Sequence, residues 1–168
     1  DNAGLITYQD LAFKTEFPIR NAGVFSIWGI GSTDRSGSEV DLEPEEWEYE
    51  EDRVEEDSRT SMGAFGLNHK IILGKKSLLN NSVAFTGSDL ISIGEKMDTN
   101  KVLFDDYDIQ NTTWSYILSS TLNHKFSARH SNRTGVTFKL LNYDMLIQPA
   151  ETFKENLTTL SDNDGNSE

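Results

Sequence analysis

Three histidines, a dense run of carboxylates and a few aromatics set among acids are the side chains whose type and spacing invite a chemical reading. The histidines are His69, His124 and His130. A zinc site needs three or four ligands, and His124 and His130 stand six apart with no third ligand close in sequence. The absence of cysteine removes thiol nucleophiles, thiolate metal sites and disulfides. No G-x-S-x-G elbow is present, and Gly29-Ile30-Gly31 lies in a strand-like pattern, where glycine marks close backbone approach and not a phosphate loop. The carboxylates crowd into Glu39–Asp57, with twelve acids and one base, Arg53. Nothing apolar surrounds them to raise a pKa for acid–base work. The run also lacks the glycine and alternating oxygen ligands of a calcium loop, and Asp162-Asn163-Asp164-Gly165 fails at its first ligand position, Leu160. The chain is therefore expected to be no enzyme and to hold no metal or cofactor. Trp47 and Tyr49 interrupt the acidic run, and Phe104 and Tyr107 sit beside Asp105, Asp106 and Asp108. Aromatics next to polar groups can stack on a ligand, and these four are the candidate ligand-facing residues.

Charge narrows the partners. The 168 residues carry a formal charge of −13, of which the acidic run supplies −11. Such a balance argues against a free-standing nucleic-acid binder, which needs a basic face for phosphates, and against a protein drawn as a whole to anionic lipid by charge. A block of like charges repels itself and stays solvated, so the run reads as a surface loop. No stretch approaches the ~18 apolar residues of a transmembrane helix. The chain begins at Asp1 without an apolar leader, which reads as a processed chain or an excised piece. Four sequons stand at Asn80, Asn111, Asn132 and Asn156; in a bacterial protein they would be incidental products of an Asn/Ser/Thr-rich chain, whereas in a secreted eukaryotic protein they would favour a soluble β-sandwich.

The elements that must position these residues read with period two. Leu5, Leu11, Phe13 and Phe17 alternate with Asp10, Lys14 and Glu16. Phe65, Leu67, Ile71 and Leu73 alternate with Asn68 and Lys70; Leu79, Val83 and Phe85 with Asn80, Ser82, Ala84 and Thr86. Trp114, Tyr116, Leu118, Leu122 and Phe126 share one face of their run, and Val136, Phe138 and Leu140 stand opposite Thr137 and Lys139 in theirs. Alternation predicts strands with one apolar and one polar face. The i+4 recurrence of Trp114, Leu118, Leu122 and Phe126 also fits a helix, but the Ser/Thr-rich context and the alternating neighbours favour strand. Phe25 and Ile27 are placed on the apolar face.

Connections alternate in length. Arg20–Gly23, Gly74–Ser77 and Ser127–Ser131 are short, whereas long loops are expected near 33–60, 88–113 and 149–168. Short turns at one end and long loops at the other predict an all-β, antiparallel up-and-down meander of about six strands. The polar face carries small residues, amides and spaced charges, which suits a wet lumen; the apolar face suits lipid. Phe65, Leu67, Val83, Phe85, Leu118, Leu122, Phe138 and Leu140 are then one lipid-facing band. The pattern fits part of a large transmembrane β-barrel. A secreted, soluble β-sandwich binding or adhesion module is the alternative, and it differs in burying the apolar face under a second sheet.

One motif repeats. Leu67-Asn68-His69-Lys70 and Leu122-Asn123-His124-Lys125 lie 55 residues apart, each followed by an apolar residue. The stretch STLNHKFSARHSNRTG (Ser120–Gly135) resembles a strand–turn–strand of TonB-dependent outer-membrane receptors of Bacteroidetes, the type with a carboxypeptidase-regulatory-like domain ahead of a plug. Leu122, Asn123, His124, Lys125, Phe126, Ala128, Arg129, His130, Arg133 and Gly135 carry the likeness; the departures include Ser127, Ser131 and Asn132. Ala22–Gly29 is similar to another hairpin of that family, and Met62–Leu73 to the strand after it. The likeness touches most of residues 5–147, and its motifs are structural. It implies a segment of a 22-stranded barrel in the outer membrane of a Gram-negative bacterium, importing a small nutrient. The implied partners are outer-membrane lipid, the rest of the barrel and its plug, and the TonB complex, with room for a surface lipoprotein over the pore.

Overall fold

A computed structural model describes residues 5–40, 43–44, 47–150 and 156–167. They form one antiparallel sheet of seven strands in sequence order: β1 (Leu5–Ile19), β2 (Gly23–Ser38), β3 (Val54–Leu73), β4 (Ser77–Met97), β5 (Leu103–Lys125), β6 (Ser131–Pro149) and β7 (Ser161–Ser167). A 3-10 turn at Glu50–Arg53 precedes β3, and there is no α-helix among the described residues. Trp114–Lys125 is strand, as its alternating neighbours require.

The all-β meander holds, with two corrections of extent. There are seven strands, not six, because β7 lies inside the stretch expected as a terminal loop. The long connections are also shorter than expected: residues 39–53, 98–102 and 150–160. The apolar alternation stops where both faces become polar, but backbone pairing does not. Runs such as Asp89–Ile93 and Asp108–Thr113 keep their ladders through β-branched and polar residues. The connection between β4 and β5 is accordingly tight. Asp98 folds it by accepting from the backbone N–H of Asn100 (2.8 Å) and of Val102 (3.0 Å). Val54–Asp57, read as the end of the acidic loop, begins β3, where Asp57 stands opposite Gly37. Within that run, residues 41–42 and 45–46 lie outside the described residues, as do 151–155 in the tail.

The register decides which side chains share a face. Ile27, Leu67, Val83, Leu118 and Phe138 stand directly opposite one another across five strands. The adjacent row on the same face is Phe13, Gly29, Phe65, Phe85, Tyr116 and Leu140. Four glycines accept an aromatic ring from the residue facing them: Gly29 from Phe13, Gly66 from Trp28, Gly94 from Tyr107 and Gly165 from Tyr143. A Cβ at Gly66 would lie 2.6 Å from the Trp28 ring, so the ring's position requires glycine there. The sheet is open, with β1 and β7 at its edges, and no second sheet covers its apolar face among the described residues. The buried apolar side chains described are therefore few: Val40, Ala84 and Met97.

Candidate functional site

The two faces differ chemically. On β3, from Gly63 to Leu73, and on β5, from Trp114 to His124, the apolar face carries no Asp, Glu, Lys or Arg over eleven residues. All eight residues expected in the apolar band stand on this one face. Seven of them are more than a third exposed, Phe138 at 54% and Leu118 at 56%, and Leu140 is half-buried. Phe25 and Ile27 lie on the same face. Phe85 and Tyr116 meet as a tilted pair with centroids 5.2 Å apart. On the opposite face Ala84, Ser26 and Ser115 are buried, and Ser115 shares a hydrogen bond of 2.7 Å with Thr86. Asn68 belongs to this face. With its amide turned so that the oxygen meets the indole, it accepts from Trp28 Nε1 at 3.0 Å.

At the long-loop end the strands continue beyond the apolar band and both faces become polar. On the band side, Thr33 and Ser61 share a hydrogen bond of 3.0 Å, and Thr112 donates to Asp89 at 2.6 Å. Arg35 holds Asp57 through two hydrogen bonds of 2.8 and 2.7 Å. That pairing keeps the Asp57 carboxyl below the usual carboxylate range, against a smaller desolvation effect. On the other face, Ser58 donates to Glu56 at 2.7 Å and shares a 2.6 Å hydrogen bond with Ser92, whose hydroxyl lies 3.5 Å from the Tyr107 hydroxyl. Burial pushes the Tyr107 phenol above its ordinary value; a contact with Ser92 opposes this and the nearby Glu56 charge adds to it. The four side chains form a hydroxyl-rich wall suited to hydrogen-bonding a polar solute.

The four expected ligand-facing aromatics lie on two elements. Tyr49 is exposed at 67% and Trp47 is half-buried, both in the 39–53 connection. Phe104 and Tyr107 are in strand β5, not in a loop, and Tyr107 is fixed over Gly94 at the register shift between β4 and β5. Glu56, Ser58 and Ser92 escaped the sequence reading because their segments looked like loop. The usable signal was Leu90–Ile93 with Ile109, a β-branched run without a glycine or proline break. The acidic run is locally folded at its end, where the Asp52 carboxylate accepts the backbone N–H groups of Glu48 and Tyr49, each at 2.8 Å.

The short-turn end explains the repeated L-N-H-K. In each copy the histidine reaches back to the preceding hairpin: His69 Nε2 donates to the Ala22 carbonyl oxygen at 2.7 Å, and His124 Nδ1 shares a 2.8 Å hydrogen bond with Ser77. Each ring also meets a phenylalanine, His69 stacking on Phe25 at 4.4 Å and His124 meeting Phe126 edge-on at 4.5 Å. Among the described residues no three His, Asp or Glu side chains converge as a metal site would require. The asparagine and lysine of each copy stand on the polar face. There Lys70, Lys75, Lys76, Lys125 and Arg133 ring an open depression of about 610 Å³. No protein family, curated protein or solved structure matches the chain in comparison.

Proposed function

We propose that this chain is part of the wall of an outer-membrane β-barrel of the TonB-dependent receptor type, a non-enzymatic transporter for a small nutrient. The observation that carries this reading is the uncharged, exposed apolar face running in register across the sheet. Its apolar residues run from Phe65 to Leu73 on β3 and from Trp114 to Leu122 on β5, within the ~9–11 residues of a membrane-crossing strand. A polar face of small and charged residues opposite it suits a wet lumen. Two open edges suit further strands of a barrel, since a bare edge invites pairing. On this reading the 3-residue turns Arg20–Ala22 and Gly74–Lys76 are periplasmic, and the 39–53 connection faces outward. The plug, the TonB complex and a surface lipoprotein enter only through the resemblance of Ser120–Gly135.

The test is to produce the intact protein in a Gram-negative host and fractionate the cells. The expected result is recovery in outer membranes, resistance to alkaline extraction, and a gel mobility that changes on heating. A protein that stays soluble and monodisperse without detergent would overturn the proposal.

A further inference from the structure

The three turns at one end of the sheet all carry cations and no anion. Arg20 sits in the first, Lys75 and Lys76 in the second and Arg129 in the third, all exposed. No acid occurs from Ser58 to Ser88 or from Ile109 to Tyr143. Glu16, the acid of β1 nearest these turns, is already held by Lys14 at 2.7 Å. The positive charge of this end is thus uncompensated by neighbouring carboxylates.

Its arrangement says what would cover it. Lys75 and Lys76 also border the polar-face depression with Lys70, Lys125 and Arg133, but Arg20 and Arg129 stand outside its lining, so the four turn cations do not share one compact site. They recur once per hairpin, every two strands, which spaces them roughly 10 Å apart along the rim. Lys76 also ties the second turn to the third, its Nζ donating to the Phe126 carbonyl oxygen at 3.2 Å. The row borders the apolar face directly, where Phe17, Ile19, Phe25, Leu73 and Phe126 are exposed. An apolar band ending in a line of cations is complementary to a lipid leaflet whose surface is anionic.

We propose that this rim binds the headgroups of anionic phospholipids in the leaflet at the turn end, with Arg20, Lys75, Lys76 and Arg129 as the contacts. The inference rests on the membrane reading above and adds the lipid class. The intact protein is reconstituted into bilayers holding phosphatidylcholine and phosphatidylglycerol, and the association of spin-labelled versions of each lipid is compared. Wild type should prefer the anionic lipid by about fivefold, the effect of roughly one cation near an anionic surface. Replacing the four turn residues with Gln should bring the ratio close to one, and so should high salt on the unaltered protein. The pair Lys70→Gln and Lys139→Gln, on the polar face, should leave the preference intact. Equal association of both lipids with wild type, or a preference that survives the turn substitutions and high salt, overturns the inference alone. Failure to insert into either bilayer overturns the membrane reading and this inference together.

Discussion

The glycines of this sheet separate into two kinds that sequence does not distinguish. Gly66 receives the Trp28 ring, whereas the nearest atom to a Cβ at Gly87 is 3.9 Å away. Gly66→Ala should displace the indole, break its hydrogen bond to Asn68 and destabilise the protein by about 1–3 kcal/mol, as overpacking does. Gly87→Ala should be neutral or slightly stabilising, because it only narrows the unfolded ensemble. Thermal denaturation of the two variants in one detergent checks the contrast; equal effects would mean that the Trp28 ring can move aside. Reading Gly29-Ile30-Gly31 as a place of close approach was sound for Gly29, which lies under Phe13. The approaching group was not legible, because it comes from another strand and depends on register. At Tyr107, burial raises the phenol pKa. A raised folded-state value contributes stability below the ordinary phenol pKa, and that contribution is lost as pH rises through the folded value. Alkaline ultraviolet titration should show one late-ionising tyrosine that disappears in Tyr107→Phe.

At the scale of the strand, alternation was a sufficient guide wherever one face is apolar. The facing of β3 through β6 follows from parity, and the register places the eight band residues together. The strand ends above the band were not legible by that rule, since Ser58, Ser92 and Thr112 give the same polar signal in a loop as in a ladder. Leu122 and Asn123 are neighbours on opposite faces of β5. On the membrane reading, Leu122→Arg places a charge in lipid at a cost of ~2–4 kcal/mol near the midplane, less toward the interface, whereas Asn123→Arg stays hydrated. Assembled protein in outer membranes, measured by resistance to denaturation on unheated gels, should fall far more for Leu122→Arg. Equal losses would contradict the assignment of the two faces.

For the molecule as a whole, charge is segregated along the strands, with cations in the tight turns and most acids at the other end. The acidic run was legible as a solvated feature by composition alone, but its last residues belong to β3, where Asp57 is held by Arg35. The segment expected to be dispensable for assembly is therefore residues 41–53, beyond the buried Val40. Replacing it with a short Gly/Ser linker should leave assembly intact, because loop length adds little to closure entropy. On the transport reading, any loss of uptake should shrink at high ionic strength, where exposed charge is screened. Loss of assembly would show that the connection is structural. Each strand pairs with its chain neighbours, and among the described residues no central core draws distant segments together. Energetics of that kind resemble those of a repeat array, where units stack on adjacent units. Such a wall can be lengthened or shortened by whole hairpins without redesigning what remains. A motif recurring two strands along, fastening each time onto the hairpin before it, is the trace that growth by duplication would leave.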